Sequence, residues 1–223
     1  MAVRFIAVLS VLLLVFAPPV VAQTPHTHQH SFGDADKWAK VFDDPERDAW
    51  QMPHEVIQAL AIKPGAVVAD IGAGTGYFAM RLAHMLTLNG TGKGRVYAVD
   101  LEPDMVKYLA GRAKKEGLKN LVAVRGAHDD AKLPAKVDLV LLVDVYHHID
   151  KREAYFGKLA AALKPGGRIA IIDFNAISKT GPPLSQRISP EKVMAEMAVA
   201  GFRLALHHDF LPNQYFLVFE RTK

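Results

Sequence analysis

The 223-residue sequence contains no cysteine. Disulfide bonds, catalysis by a thiolate nucleophile and zinc sites built from thiolates are therefore all excluded. The sequence also lacks a dense run of basic residues, because its 27 lysine and arginine residues are spread along the chain against 23 acidic ones, for a formal net charge of +4. This charge pattern does not indicate nucleic acid as a partner. No internal repeat is visible, and the length suits one ordinary domain.

The first 22 residues differ in composition from the rest of the chain. Arg4 precedes an apolar run from Phe5 to Phe16, and two prolines and small residues follow up to Ala22. This pattern is typical of a secretory signal peptide, so we expect cleavage after Ala22 and a periplasmic or secreted mature chain. The alternative is an uncleaved leader that anchors the domain at the inner membrane, since the apolar span is near the lower length for crossing a bilayer.

A polar tract follows the leader and contains His26, His28 and His30. It shows no hydrophobic periodicity, and we predict a flexible, histidine-containing tail over residues 23–36. Three imidazoles suit zinc, copper or nickel, but the tract offers no fixed scaffold and no fourth ligand. We therefore predict no dedicated metal site, and we place the folded domain at residues 37–223.

Hydrophobic runs alternate with amphipathic stretches over the rest of the chain, which predicts an α/β fold with a mostly parallel sheet. The last two predicted strands are separated by a short turn and should pair antiparallel, which puts one antiparallel strand at the sheet edge. The predicted strands are 66–71, 95–100, 120–124, 137–143, 167–173, 202–208 and 214–220, and the predicted helices are 53–61, 77–88, 103–116, 151–163 and 190–200.

The first of these strands leads directly into Gly72, Gly74 and Gly76. Glycines at such a turn let the backbone approach a ligand closely, and the amides of the following helix start offer polar anchors. The spacing does not match a dinucleotide fingerprint, because Tyr77 stands where the last glycine is required, and it does not match a P-loop. The turn therefore favours a nucleoside-type ligand, with a purely geometric use of the glycines as the alternative.

The second predicted strand ends in Asp100. An acidic residue at this place can accept hydrogen bonds from both hydroxyl groups of a ribose. The alternative, that the acidic residues only begin the next helix at Pro103, fits Glu102 better than Asp100. We predict that Asp100 binds the sugar of the ligand.

Five stretches occur in an order that resembles a known family: DIGAGTGYF, VYAVDLEPDM, DDAKLP, VDLVLLVDVYHHI and LKPGGRIAIIDF. They resemble the motifs of class I S-adenosylmethionine-dependent methyltransferases, over about residues 45–220. The resemblance implies a Rossmann-like, seven-stranded, mostly parallel sheet with helices on both faces. It also implies S-adenosyl-L-methionine as cofactor and methyl transfer to an oxygen, nitrogen or carbon nucleophile of an unidentified small-molecule acceptor.

The resemblance implies roles for individual cofactor-binding residues as well. The three glycines of the turn match those beside the methionine part of the cofactor. We predict that Asp70, at the end of the preceding strand, binds the cofactor as well. Asp100 matches the ribose-binding acid, and Leu101 matches a residue that packs on the adenine face. Asp129, four residues before the Leu-Pro pair, matches the residue that meets the adenine amino group.

Three polar residues follow the fourth predicted strand: Asp144, Tyr146 and His147. Since ligands of open α/β sheets lie beyond the carboxyl ends of the strands, we predict that these residues are catalytic. A histidine suits removal of a proton from a hydroxyl or a protonated amine, and His147 matches the family pattern better than His148. The alternative is an ordinary helix start with solvated histidines. Asp173 and Asn175, at the end of the next strand, are weaker candidates.

Two further segments are candidates for closing over a ligand. Residues 42–53 are rich in aromatic and charged groups, and the alternative for them is a fixed cap held by Phe42, Trp50 and Arg47. Residues 175–188 contain a Gly-Pro-Pro sequence, and we expect this loop to select the acceptor.

The predicted leader would export this protein, whereas S-adenosyl-L-methionine is made and kept in the cytoplasm. The alternative function is therefore a non-catalytic envelope protein that binds a nucleoside-like ligand. A third hypothesis is a metal-binding envelope protein that uses the histidine tail. This hypothesis gives no role to Asp100 as a ribose-binding residue. No sequence feature indicates the oligomeric state.

Overall fold

The computed structural model describes residues 34–88 and 92–222. The predicted signal peptide, the three histidines of the tail and the possible anchor lie outside these residues. In the described ranges, every helix is too short or too polar to span a bilayer.

The described chain begins with a helix that the sequence did not predict. The side chain of Asp34 accepts a hydrogen bond from the backbone N–H of Lys37 at 3.2 Å, which caps a helix that begins at Ala35. The predicted boundary between tail and domain, after residue 36, thus falls inside this helix. At eight residues, this helix is shorter than the stretch over which a helical hydrophobic period can be recognised.

Seven α-helices are described in residues 34–88 and 92–222, and the five predicted helices are all among them. Three short 3-10 helices supplement them at Pro45–Arg47, Tyr146–His148 and Leu184–Gln186. The α-helices are α1 Ala35–Phe42, α2 Asp48–Gln51, α3 Pro53–Ala59, α4 Tyr77–Leu88, α5 Pro103–Lys115, α6 Arg152–Ala162 and α7 Pro190–Val199.

One seven-stranded sheet has the strand order β3-β2-β1-β4-β5-β7-β6. Strands β1 to β5 are parallel, and β7 runs antiparallel to both of its neighbours. The predicted fold class is confirmed, with the reversed strand one place in from the edge and β6 outermost. The strands are β1 Val67–Ile71, β2 Arg95–Asp100, β3 Leu121–Arg125, β4 Val137–Val143, β5 Leu163–Phe174, β6 Phe202–His208 and β7 Gln214–Arg221.

Both faces of the sheet are buried, which explains why its central strands read as nearly continuous apolar runs. Alternate residues of β4 show the two faces. Leu139 and Leu141 pack in a cluster with side chains of α3, α4 and α5. Val140 and Leu142 pack in a second cluster with side chains of α6 and α7. Helices therefore cover both faces, as predicted.

The topology brings polar residues to one edge of the sheet. Strands β1, β2, β4 and β5 are parallel, so their carboxyl ends all lie at the same edge. Because β7 is reversed, its first residue lies there too, and Gln214 pairs with Phe174 at the end of β5. Segments that are far apart in the sequence meet at this edge.

Candidate active site

The glycine turn after β1 is held against the end of β2. The backbone N–H groups of Gly72 and Ala73 both donate to the carbonyl oxygen of Val99, at 2.8 and 2.9 Å. Gly72 has a φ of +69°, which disfavours any residue with a side chain. A Cβ atom at this position would also overlap the side chain of Val145, in the loop after β4. The turn therefore requires glycine at position 72.

Asp100 is fixed by this turn. Its Oδ2 accepts a hydrogen bond from the backbone N–H of Gly74 at 2.8 Å, and its Oδ1 accepts one from that of Glu102 at 2.9 Å. Burial raises the pKa of Asp100, and these hydrogen bonds oppose the rise. Each carboxylate oxygen has a second lone pair, so both can still accept a hydrogen bond from a ribose hydroxyl. Leu101 beside it is 41% exposed and offers an apolar surface.

Asp70 lies beneath the turn and not at its open side. Its side chain is almost fully buried, and burial raises its pKa to about 7. The backbone N–H of Ala79, in the first turn of α4, donates to this carboxyl and partly offsets the effect of burial. Asp70 therefore ties β1 to the start of α4, and its predicted contact with the cofactor stays a prediction.

The structure does not bring Asp129 to the other predicted cofactor-binding residues. Its carboxylate is exposed and forms an ion pair with Lys158 of α6, at 2.7 Å. The hydrogen bond from Lys158 lowers the pKa of Asp129. The predicted contact with adenine requires the side chain to leave this partner, and it also stays a prediction.

His147 and Asp173 form a close pair between the ends of β4 and β5. The Nδ1 atom of His147 lies 2.9 Å from both carboxylate oxygens of Asp173. The backbone N–H of His147 donates to the same carboxylate at 3.1 Å. Both side chains are almost fully buried, with 5% and 2% of their surface exposed. The structure thus gives the predicted histidine a carboxylate partner.

Asp144 lies beside this pair in a largely buried, charged environment. Burial raises its pKa to about 7, Arg47 opposes the rise, and the charge of Asp173 adds to it. The Nη2 atom of Arg47 is 3.6 Å from the Asp144 carboxylate. The backbone of Asp144 has a φ of +59°, a conformation that non-glycine residues seldom adopt. Strained, buried carboxylates of this kind are common at functional sites.

A ring of four polar side chains joins Asp144 to the beginning of the domain. The Nε2 atom of Gln214 donates to Asp144 at 2.5 Å, and the Nε2 atom of Gln51 donates to Gln214 at 2.5 Å. Arg47 donates to Gln51 from two nitrogens at 3.2 Å and completes the ring. Gln51 and Gln214 are buried. Neither glutamine was predicted, because a single glutamine in a sequence carries no recognisable signal.

Residues 34–52, which we call the N-terminal strap, also contact the glycine turn. The carboxylate of Asp43 accepts hydrogen bonds from Thr75 at 3.2 Å and from Arg112 at 3.0 Å. The ring of Phe42 lies next to Gly74. Trp50 packs near Phe174, with 6.1 Å between ring centroids. These contacts show the fixed cap that was the alternative for this segment, and they place it against both halves of the candidate site.

The structure does not bring the Tyr146 side chain to the other predicted catalytic residues, and its catalytic role stays a prediction. The Tyr146 side chain is fully buried in the cluster beneath α6 and α7, and its hydroxyl donates to Glu196 of α7 at 2.7 Å. Arg152 binds the same carboxylate at 2.6 Å. The short 3-10 helix turns successive side chains in different directions, so Tyr146 points into the core while His147 reaches Asp173.

The predicted acceptor-selecting loop is organised around one arginine. The guanidinium of Arg187 donates to four backbone carbonyl groups of this loop, at 2.8 to 3.0 Å. Gly181 packs directly on the ring of Phe174, where a Cβ atom would be 2.6 Å from the ring. The loop is therefore folded down onto the end of β5, beside the His147–Asp173 pair.

In residues 34–88 and 92–222, no three His, Cys, Asp or Glu side chains are arranged to hold a metal ion. The three alternating histidines of the tail lie outside these ranges.

One protein family matches the sequence over most of the described chain. The family model, described as a methyltransferase domain, matches residues 62–212. A ribosomal protein L11 methyltransferase of Pelotomaculum thermopropionicum is 33% identical over 106 residues, 48% of this chain and 32% of that protein. A protein-L-isoaspartate O-methyltransferase of Aeropyrum pernix is 34% identical over 120 residues, 52% of this chain and 42% of that one. The chain thus spans less than half the length of these two curated relatives.

Solved structures share the fold. A SAM dependent methyltransferase from Aquifex aeolicus has a TM-score of 0.76 and 27% identity, and the match covers 85% of this chain and 99% of that one. A glycopeptide N-methyltransferase in complex with S-adenosylmethionine has a TM-score of 0.62 and 12% identity, with 77% and 87% of the two chains covered. At that identity the second match supports the fold alone.

Proposed function

The chain belongs to the methyltransferase domain family, and from this premise we propose that it transfers the methyl group of S-adenosyl-L-methionine to an oxygen, nitrogen or carbon atom of a small-molecule acceptor. The observation that carries the proposal is the glycine turn locked to the ribose-binding candidate, with Gly74 donating to Asp100 at 2.8 Å. This arrangement joins the two sequence motifs into one site.

The residues present fit S-adenosyl-L-methionine. Gly72 is exposed and has no side chain to keep a ligand away from the backbone, Asp100 keeps lone pairs for the sugar, and Leu101 offers an apolar surface for a flat ring. When bound, the cofactor supplies a methyl group on a sulfonium, which already has a good leaving group. The chain has to align an acceptor with that methyl group and to exclude water.

The acceptor side is formed by the ends of β4 and β5, the N-terminal strap and the folded loop before Arg187. The strap and this loop both pack on Phe174 at the end of β5, and a site covered in this way suits a small acceptor better than a long polymer. One of the relatives is an O-methyltransferase and one of the structural neighbours is an N-methyltransferase, so similarity does not choose the acceptor atom. His147 is our candidate for the base at this site.

Binding of the cofactor can be tested by calorimetry and thermal unfolding with S-adenosyl-L-methionine and S-adenosyl-L-homocysteine. We expect heat and a rise in Tm with both, and an increase of about tenfold in Kd for Asp100→Asn, because a charged hydrogen-bond acceptor is lost. Asp104→Asn, in the first turn of α5, is the matched control and should bind normally. A folded protein that gives no heat and no rise in Tm contradicts the proposal.

Methyl transfer can be tested with a radiolabelled donor and an extract of the cell envelope. We expect labelled small molecules with the natural sequence, and a strong loss of transfer with unchanged donor affinity for His147→Ala. A protein that binds the donor but transfers no label would instead support the alternative, a non-catalytic protein that binds a nucleoside-like ligand.

We also propose that the protein is exported, on the composition of its first 22 residues. Cell fractionation with N-terminal sequencing tests this proposal. A soluble periplasmic or secreted chain that begins at Gln23 is expected, and an uncut chain in the membrane fraction supports the inner-membrane alternative. An uncut chain in the cytoplasm contradicts both.

A further inference from the structure

We infer that Asp173 is a positioning residue that holds His147 as a base for a hydroxyl group, so that the reaction at this site is O-methylation of an alcohol or phenol. This inference rests on the proposed methyl transfer and adds to it the acceptor class and a second residue. It is carried by the geometry of the His147–Asp173 pair.

The geometry determines which nitrogen of His147 carries the proton. A carboxylate can only accept hydrogen bonds, and both oxygens of Asp173 lie 2.9 Å from Nδ1. The hydrogen of a neutral imidazole must then be on Nδ1, which leaves a lone pair on Nε2. That nitrogen is able to accept a proton from an acceptor.

The carboxylate of Asp173 is itself held in place. It accepts backbone hydrogen bonds from His147 at 3.1 Å and from Phe174 at 2.8 Å. The His147 ring is restrained as well, since it packs on the ring of His148 with 4.0 Å between centroids and lies 6.5 Å from that of Phe174. A base held this firmly on two sides loses little entropy when it reacts.

A hydroxyl acceptor makes the best use of such a base. A neutral amine has a free lone pair and can attack first and lose its proton afterwards. A hydroxyl is a poor nucleophile until its proton is removed during the attack, and general-base catalysis of that transfer is worth about 10²–10⁴ in rate. A positioned imidazole with a free Nε2 therefore points to an alcohol or a phenol.

The proposed reaction transfers one proton to His147 and one methyl group to the acceptor oxygen. The O–H bond of the acceptor breaks, its electrons stay on oxygen, and its proton goes to Nε2 of His147. The oxygen forms a bond to the methyl carbon as the bond between that carbon and the donor sulfur breaks, and its electrons go to the sulfur. The products are a methyl ether and a neutral thioether. The imidazolium, paired with Asp173, then gives its proton to water.

The position of the proton can be measured without any acceptor. Protein labelled with ¹⁵N-histidine is examined by NMR in alkaline buffer, where an ordinary imidazole is neutral, and the His147 signals are assigned by their loss in His147→Gln. We expect His147 to be protonated on Nδ1 in the natural sequence and to become a mixture of tautomers in Asp173→Asn. Asp138→Asn is the matched control, because Asp138 also accepts a backbone N–H, from Val67 at 2.7 Å, but lies at the opposite end of β4. A purely structural role predicts the same tautomer in all folded variants.

The acceptor class is measured by transfer from a radiolabelled donor to the envelope extract. We expect Asp173→Asn to slow transfer about 100-fold or more at saturating donor, with the Kd for S-adenosyl-L-methionine unchanged within about twofold. Asp138→Asn should transfer at the normal rate. The label should be stable to mild alkali, as in an ether, and should be released as methyl iodide by hydriodic acid.

The outcomes separate this inference from the proposed function. If the natural protein does not bind the donor, the proposed function fails. If it binds and transfers, the inference alone is overturned by label in N-methyl, C-methyl or alkali-labile ester groups, or by a normal rate for Asp173→Asn. If it binds without transfer, the proton measurement decides, and an Nδ1 that carries no proton, or an unchanged tautomer in Asp173→Asn, overturns the inference.

Discussion

The two halves of the candidate site are built in different ways. The cofactor half, at the ends of β1 and β2, consists of backbone: a glycine turn, two N–H groups on Val99 and two on Asp100. The acceptor half, at the ends of β4, β5 and β7, consists of side chains that bind one another. Its hydrogen bond between Gln51 and Gln214 joins residues 163 positions apart.

This difference explains why the residue types are easier to predict from the sequence in the cofactor half than in the acceptor half. A backbone turn with positive φ requires glycine, so the residue type follows from the geometry. A network of buried side chains can be satisfied by many combinations of residues, as long as every polar group finds a partner. We therefore expect the cofactor half to be sensitive to substitutions that add a side chain at a glycine. We expect the acceptor half to be sensitive to substitutions that remove a hydrogen-bond partner.

Gly72→Ala should have the largest effect. The new Cβ combines an unfavourable φ with an overlap on Val145, two costs of about 1–3 kcal/mol each, and we expect donor affinity to fall at least about 30-fold. Calorimetry measures the Kd. The control is Gly157→Ala in α6, where a Cβ meets no atom within 4 Å and should be tolerated. Adding Val145→Ala to Gly72→Ala should restore part of the affinity. Normal binding by the single variant would contradict the role of the turn.

Acid should stabilise the fold through Asp144. Its pKa is raised from 3.8 to about 7, so its favourable contribution is complete below about pH 4 and is lost as the pH rises through about 7. We expect a gain of about 2 kcal/mol from this group between pH 7 and pH 5, at about 1.4 kcal/mol per pH unit. Urea unfolding at several pH values measures it.

The comparison with Asp144→Asn isolates this contribution, because the substitution should flatten the pH dependence. Other groups titrate nearby: burial also raises the pKa of Asp70 to about 7, and burial lowers that of His208. Asp70→Asn tests the same effect in the cofactor half. If Asp144→Asn keeps the full slope between pH 5 and pH 7, the carboxyl is not titrating there.

Gln51→Ala tests the side-chain network. It removes the donor to Gln214 and an acceptor for Arg47, and we expect a loss of about 1–2 kcal/mol in the free energy of unfolding. The Kd for the donor should stay unchanged, because the cofactor half is held by backbone. Gln58→Ala, on the exposed side of α3, is the control and should have little effect on stability. Weaker donor binding by Gln51→Ala would show that the two halves are coupled through the N-terminal strap.

Asp129→Asn should have the smallest effect. The carboxylate is exposed and forms an ion pair with Lys158, so we expect donor affinity within about twofold of normal by calorimetry. Lys158→Gln serves as the control for loss of the ion pair. A tenfold loss of affinity for Asp129→Asn alone would mean that this side chain leaves Lys158 and meets the adenine, as the family resemblance implies.

Much of the fold could be predicted from the sequence, with most helix and strand ends within a few residues. Long apolar runs and helical periods report burial directly, and β1, α4 and β2 show this most clearly. The exceptions are short elements. Helix α1 was missed because it is only eight residues long. The Tyr146 side chain points away from His147 because a 3-10 turn directs neighbouring residues differently.

The predictions for the site followed the same division. Asp144 and His147 were found from their position after an apolar strand. Asp173 received less weight, because nothing in its local sequence tells that its carboxylate meets Nδ1 of His147. Gln51 and Gln214 could not be predicted as site residues, since their hydrogen bond forms only when folding brings them together.

The amino-acid sequence alone determined the local features: the strand that ends in glycines, the acidic residue that ends the second strand, and the alternation of strand and helix. These features depend on φ, on side-chain volume and on hydrophobic period, all of which belong to neighbouring residues. The partners of Asp144 and His147 depended on folding. Parallel strands bring their carboxyl ends to one edge, the reversed β7 brings Gln214 to it, and the strap adds Arg47 and Gln51, so distance along the chain says nothing about which side chains meet.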